Sequence, residues 1–497
     1  MERLSINLAD YGFAPNQDGF HAGNGSMENV DQLNKALAAE QITGRDTANL
    51  TTASGAPLKV ESLEKTLKHL TFRESDIRLW KDLPKKAAYN TVEEYNQQTS
   101  YGANRGGWNR EGELPEEEDS IFVRRAQLVK YLGVTKSVTH QMTLVNTMVG
   151  SIMERTIKDG TMWILRTLNQ GLYFGNEKLV PEQFNGFLAQ QEQSGAWSSY
   201  DDYMTSEHVV DLRGGALTED AIESGANSIV ENYGLATQIY GAPAVLSNFV
   251  KTFYGNKFIQ PNTPALTAGV MGQKVVAFDS QFGQIGLNHD VFFKKLPSKS
   301  AGSAATSQKA PAAPVWDDKT PVAVVAASPA LSKFRSTDAG NVYYAVSAIN
   351  RFGESQLAIN STAVAVTAGC AVNLKFTAGV GTNAATAYRI YRTKVGGTAT
   401  GEFYPLFEVA VSELTAGYDG ATAGLVRDVN HFLPDCDQAM LVQFDNEVVE
   451  FAQLAPLMKM DLAVLSPAFR FMVLLYGTPF LYAPKKMVRF INIGPKA

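Results

Sequence analysis

TVEEYNQQTSYGANRGGWNREGELPEEEDSIFVRRAQLVKYLGVTKSVT (91–139) decides the architecture. It reads as a two-stranded ribbon. The first limb runs roughly Thr91 to Tyr101, and the second runs Ser120 to Thr139 and is rich in β-branched residues. The tip between them, Gly102 to Asp119, holds Gly102, Gly106, Gly107, Gly112 and Pro115, residues that break regular structure. Period-two spacing puts Val123, Arg125, Gln127, Val129 and Tyr131 on one face. Many side chains on both faces are polar, so the ribbon builds no core of its own. A lone two-stranded ribbon is marginal in water. It must lie on something else, and a neighbouring copy of the chain is the natural support. The tip is acidic through Glu111, Glu113, Glu116, Glu117, Glu118 and Asp119. The ribbon also carries Arg105, Arg110, Arg124, Arg125, Lys130 and Lys136. Two readings stand: a solvated loop, or complementary charge between copies.

Outward from the ribbon, residues 144–174 show the longest helical pattern. Val145, Met148, Val149, Ile152, Ile164, Leu168 and Leu172 recur at three- and four-residue steps. Val149, Ile152, Ile164 and Leu168 are its expected core positions. Gly175 is a C-terminal stop, and Asp159-Gly160 is an expected kink. About thirty residues would span about 45 Å. Upstream, Leu63, Leu67 and Leu70 keep helical spacing, and Ile77, Leu79, Trp80 and Leu83 form an apolar patch closed by Pro84. Residues 1–59 are polar and Gly/Asn-rich apart from a helical patch at Val30–Glu40, and read as an extended arm. Downstream, Thr218 caps a helix from Glu219 to Tyr233, with Leu217 and Ile222 as its hydrophobic staple and Gly234 as its stop. A strand to Tyr240 and a helix from Ala244 follow, and residues 270–294 alternate as strands.

The composition shifts at about Ser298. Between there and Asp428 methionine is absent, although the chain has 13, and helical periodicity is absent too. A Ser/Ala/Pro linker leads into short strands broken by Gly and Asn, the pattern of a β-sandwich inserted into another domain. Residues 298–428 hold 11 Lys/Arg against 9 Asp/Glu, which is +2, leaving −8 for the remainder of a chain that totals −6. Residues 431–497 match the composition of 60–297 again and end in strands.

Charged residues make up only 19% of the 497, below the roughly 25% of ordinary soluble chains, which suggests a surface that meets other protein. The net charge of −6 argues against a nucleic-acid binder held by phosphate contacts. No signal-peptide pattern opens the chain and no run of 18 apolar residues spans a membrane. Two cysteines, Cys370 and Cys436, and six scattered histidines make no metal site, so no cofactor is expected. There is no P-loop, GxSxG, GxGxxG or kinase set, and no catalytic residue is assigned. His140 and His289 read as structural. Asp201-Asp202 reads as a polar loop. Trp108 and the tyrosines suit packing as well as stacking on bases or sugars.

The order of these features resembles the major capsid proteins of tailed bacteriophages, which share the Hong Kong 97-type fold. The resemblance is carried by VESLEKTLKHLTFRESDIRLWKDLPKKAAYNTVEEYNQQTSYG (60–102), the long helix, TQIYGAPAVLSNFV (237–250) and PFLYAPKKMVRFINI (479–493). It implies an α+β Hong Kong 97-type capsid fold. Residues 1–59 would be the N-terminal arm and 60–297 the first part of the capsid domain. Within that part, 91–139 would be the extended loop, 144–174 the spine helix of the peripheral domain and about 217–294 the axial domain. Residues 431–497 would complete the fold. The implied product is an icosahedral shell of hexamers and pentamers, assembled in the host cytoplasm. It would enclose double-stranded DNA without sequence-specific binding, with scaffold, portal and decoration proteins as further partners and no membrane. The resemblance implies no enzyme. Arg105, Arg110, Glu111, Glu113, Glu116, Glu117, Arg124, Arg125 and Lys130 are the expected inter-subunit contacts. Ala38-Ala39-Glu40 resembles the small-x-Glu sites at which some phages cleave the arm.

Residues 298–430 resemble an immunoglobulin-like or fibronectin type III-like module. VYYAVSAINRFGES (342–355) is similar to its late strands and NLKFTAGVGTNAATAYRIYRTKVGG (373–397) to its early ones. The order is reversed, which implies a permuted or incomplete sandwich. Alternatives stay open at this point: a tail or baseplate protein with such a module, an encapsulin-like compartment, or a secreted carbohydrate-active protein.

Overall fold

A computed structural model describes residues 71–102, 108–114, 117–145, 151–193, 208–256, 275–326, 331–419, 421–464 and 466–494. The arm, the Val30–Glu40 patch, the Ala38–Glu40 tripeptide and the helical stretch at 60–70 lie outside them. So do Arg105, Glu116, Met148, Val149, Asp201 and Asp202.

A four-stranded sheet is the backbone of the first lobe. Its order is Lys85–Ala87, Val449–Asp461, Ala468–Leu481 and Lys130–Thr139, the first pair parallel and the others antiparallel. The helix Ile152–Phe174 lies on it. Ile164, Leu168, Leu172 and Tyr173 interlock with Phe451, Phe471, Val473 and Leu475 in one buried core. At 23 residues the helix is about 35 Å long. It is shorter at its start than the sequence pattern suggests. His140–Leu144 is a separate short helix, and the long one begins afresh where Ser151 Oγ accepts the Glu154 N–H. Val145 is therefore exposed and Ile152 only half-buried. The helix runs unbroken through Asp159-Gly160. A Cβ on Gly160 would lie 3.3 Å from Val473 Cγ2, so the glycine serves close helix–sheet approach rather than a kink. Gly175 stops the helix, its N–H reaching Gly171 O at 2.8 Å.

The second lobe is a six-stranded mixed sheet. Its order is Val209–Asp211, Met487–Ile493, Asp437–Val442, Gln238–Gly241, Gly283–His289 and Ala277–Ser280. Helices Glu219–Glu231 and Pro243–Asn256 cover it, with Leu217, Ile222, Ala226, Ile229, Val245 and Phe249 on Leu441, Val488 and Phe490. Thr218 Oγ1 caps the first helix at Ala221 N, 3.3 Å away. Asp290, fully buried, ties the lobes together. It accepts Asn169 Nδ2 at 2.8 Å and the Tyr173 hydroxyl at 3.1 Å from the long helix, and Phe292 N at 2.8 Å from its own turn. Burial and the Asp290 carboxylate push the Tyr173 hydroxyl well above its ordinary pKa, so it stays a donor.

Between Lys295 and Asp435 the chain makes a long excursion and returns beside its start. Lys295 Nζ is 2.8 Å from Asp435 O and also bonds the Asp435 carboxylate, which accepts Lys394 Nζ at 2.5 Å. The excursion is mostly β. Tyr344–Asn350, Ala387–Arg392 and Glu402–Ala410 form the centre of one sheet, and Val322–Ala326, Cys370–Leu374 and Val426–Asp428 form a second. Tyr344, Val346, Tyr388, Ile390 and Val409 share a core with Val372, Leu374 and Val426. One short helix, Val411–Ala416, interrupts the β pattern against expectation. Glu413 Oε2 accepts Ala410 N at 3.2 Å, Leu414 enters the core, and Gly417 at φ 95 ends it.

Candidate self-assembly surface

The ribbon is real but shorter than its reading. Val92–Ser100 pairs antiparallel with Ile121–Leu128. The second limb then changes partner. Lys130–Thr139 leaves the ribbon and pairs along its length with Gly477–Ala468 of the long sheet. Between the two pieces, buried Val129 donates its N–H to Thr91 O at 2.9 Å. The alternation slips there by one residue. Val123, Arg125 and Gln127 stay half-buried on one face, whereas Tyr131 turns outward, 60% exposed, edge-on to Tyr476 at 4.8 Å. Leu132 and Val134 instead face the long helix.

An aromatic clamp fixes the base. Tyr95 meets Phe480 at 5.4 Å and Tyr482 at 4.9 Å, both edge-on. Lys86 sits 4.7 Å over the Phe480 ring and bonds the Tyr482 hydroxyl at 2.7 Å. That hydroxyl in turn donates to Glu450 at 2.8 Å. Burial and the Glu450 bond hold the Tyr482 hydroxyl well above its ordinary pKa. Gln97 Nε2 donates to Tyr482 O. The ribbon thus leaves the body from a rigid footing.

Beyond the clamp the described residues of the ribbon's outer face and tip are exposed. Trp108 is 100% exposed, Leu114 88%, Tyr101 87%, Phe122 66% and Ile121 56%. Exposed apolar side chains clustered along one segment are the composition of a candidate docking surface. The tip charges Arg110, Glu111, Glu113 and Glu117 are exposed with it. Glu113 Oε2 accepts the backbone N–H of Arg110 at 3.2 Å. Arg124 lies across the strand pair, 3.4 Å from Glu94. Arg125 is half-buried on the inner face. Lys130 has partners within the chain. Its ammonium is 2.7 Å from both Glu177 Oε1 and Pro181 O and braces the sheet edge. Sequence reading also missed the apolar side chains Trp108 and Leu114 of the tip and Ile121 and Phe122 at the start of the second limb.

The expected non-catalytic residues are dispersed. His140 lies 6.0 Å from the Phe469 ring, and His289 sits on the strand paired with Gln238–Gly241. Cys370 is buried in the excursion. Burial pushes the Cys436 thiol up to about 11. Among the described residues no group of three His, Cys, Asp or Glu could hold a metal ion, and no helix is long and apolar enough to cross a membrane.

Over 446 residues the chain is 24% identical to a putative major capsid protein of Enterococcus phage phiEF24C, covering 88% of this chain and 90% of that one. It is 23% identical over 470 residues to the major capsid protein of Staphylococcus phage K, covering 93% and 96%. A capsid chain of an empty GTA particle aligns with a TM-score of 0.43 at 8% identity, over 89% of this chain and 98% of that one. A family model described as SU10 major capsid protein matches residues 52–312, more than half of the chain. The chain belongs to the SU10 major capsid protein family.

Proposed function

We propose that this major capsid protein assembles into hexamers and pentamers of an icosahedral shell around packaged double-stranded DNA, in the host cytoplasm. One observation carries the reading: a ribbon clamped at its base and apolar, uncovered and charged at its tip. The tip reaches a neighbouring copy, where Trp108, Leu114 and Phe122 lose water and Arg110, Glu111, Glu113 and Glu117 meet opposite charge. Family membership sets aside the tail, baseplate and carbohydrate-active readings. The −8 charge outside residues 298–428 suits an inner wall that does not grip its genome. Scaffold, portal and decoration proteins are further partners of this reading.

The excursion is, on this proposal, an inserted immunoglobulin-like or fibronectin type III-like module carried on the shell's outer face. Two packed sheets, and limbs that meet at Lys295 and Asp435, support it. Electron microscopy of the expressed protein tests the assembly reading. Closed polyhedral shells or hexamers are expected; a monodisperse monomer, or tubes, would overturn it. Deleting 300–428 should leave shells able to form, and their loss would end the accessory reading of the module.

A further inference from the structure

Where the excursion rejoins the body, a cleft of about 320 Å³ is lined by Asp211, Arg213, Ser332, Lys333, Phe334 and Arg335. Arg213 and Asp211 belong to the six-stranded lobe, and the other four belong to the excursion. The floor is tightly built. The Arg213 side chain is 91% buried, with Nε 2.8 Å from Asp211 Oδ2 and Nη1 donating to Asn430 O at 2.8 Å. Asn492 Nδ2 donates to Asp211 Oδ1 at 2.7 Å and to His431 O at 2.9 Å. Three residues of this knot, Arg213, Asn430 and Asn492, hold left-handed backbone at φ 51, 63 and 55. Non-glycine residues keep such conformations only where surrounding bonds enforce them.

The charges do not balance. Arg213 is answered by Asp211. Asp338 is turned inward, accepting Asn430 Nδ2 at 3.0 Å and Arg335 N at 3.2 Å. Lys333 and Arg335 line the cleft as exposed cations, and among the described residues neither makes an ion pair. Burial, and then the positive charge of Arg335, push the Arg213 guanidinium below its ordinary pKa against the pull of Asp211 and Asp338. Lys333, Arg335 and Arg213 against Asp211 and Asp338 leave the cleft with a net positive charge.

We propose that this cleft binds an oxyanion, a phosphate or a carboxylate, held by Lys333 and Arg335 over Arg213, and that the bound anion bolts the excursion to the capsid body. The anion would bridge two parts of the chain that also meet at Asn430 and where Lys295 and Lys394 bond Asp435. Two sources share this chemistry: a free inorganic anion, or an Asp or Glu side chain of a neighbouring copy. The second rests on the self-assembly reading and the first does not.

Hydrogen–deuterium exchange of the full chain separates them. In the first arm, unassembled protein in phosphate-free buffer is titrated with inorganic phosphate, ionic strength being held constant with chloride. At ten times the dissociation constant, opening of 331–338 and 209–215 should slow about 11-fold. In the second arm, assembled particles are measured without phosphate, and similar protection there identifies a neighbour's carboxylate. The Lys333→Ala/Arg335→Ala double variant changes only exposed side chains, so its thermal midpoint without phosphate should match the parent. It should lose the protection in whichever arm shows it. Equal protection in the double variant, or none in either arm, would overturn the proposal. Failure of particles to form removes the second arm alone and leaves the phosphate result decisive.

Discussion

Phe122→Ser separates folding from assembly. Phe122 stands opposite Gln98 on the ribbon's outer face and is 66% exposed in the single chain. Its loss removes little packing, so folding stability should change by no more than about 0.5 kcal/mol. Assembly should respond differently. A covered phenylalanine buries about 200 Å², and the fraction now exposed leaves about 130 Å² to be hidden by a neighbour. At about 25 cal/mol per Å² that is about 3 kcal/mol for each contact. Each 1.4 kcal/mol is tenfold, so the association constant should fall about 150-fold. The assay is the lowest protein concentration that yields shells or capsomers, read by analytical ultracentrifugation and electron microscopy. Thermal unfolding runs as the control. An unchanged threshold with intact folding would refute the claim that this face is buried between copies.

Other tests probe the interior. Arg392→Met leaves the Asp428 carboxylate, 1% exposed, without the guanidinium that stands 2.7 Å away; it should cost about 3–5 kcal/mol in urea unfolding of the full chain. Gly477→Ala would place a Cβ 2.3 Å from Phe451 Cε1 and 2.5 Å from Ala452 O; a loss above about 3 kcal/mol, or failure to fold, is expected by thermal melting. His431 is held down to about 4, first by burial and then by Arg489, Arg213 and Lys333 against the pull of Asp211. The folded state therefore binds this proton less readily than the unfolded state. Stability should be lost as pH falls from about 6.5 to about 4, on the order of 3 kcal/mol, and level off below. His431→Gln should flatten that limb of the pH–stability curve, and an unchanged slope would place the titration elsewhere.

Local chemistry made much of this architecture legible. The Thr218 cap, the Gly175 stop and the Leu217–Ile222 staple act within a few residues, so sequence spacing reveals them. The apolar steps Ile164, Leu168 and Leu172 likewise announce a buried helical face. What escaped depends on distant partners. Nothing in VKYLG shows that the strand exchanges one neighbour for another at Val129, because the new partner lies more than 300 residues away. Gly160 looks like a breaker until Val473 is seen against it. Lys130 reads as a contact for a neighbouring copy, and nothing near it in sequence shows its bond to Glu177. The oxyanion cleft joins residues 211–213, 332–335, 430 and 492, which no local motif connects.

The partner exchange at Val129 has a mechanical meaning. Ribbon and sheet edge are one continuous covalent strand, pinned where Val129 donates to Thr91 and again where Tyr95 is gripped by Phe480 and Tyr482. A load applied at the tip cannot bend the ribbon freely at its root. It runs as tension into Lys130–Thr139, which shares ten residue pairs with the next strand, and that ladder resists in shear, all pairs loaded together. A load at the tip therefore meets the whole ladder at once rather than one hydrogen bond at the ribbon's root.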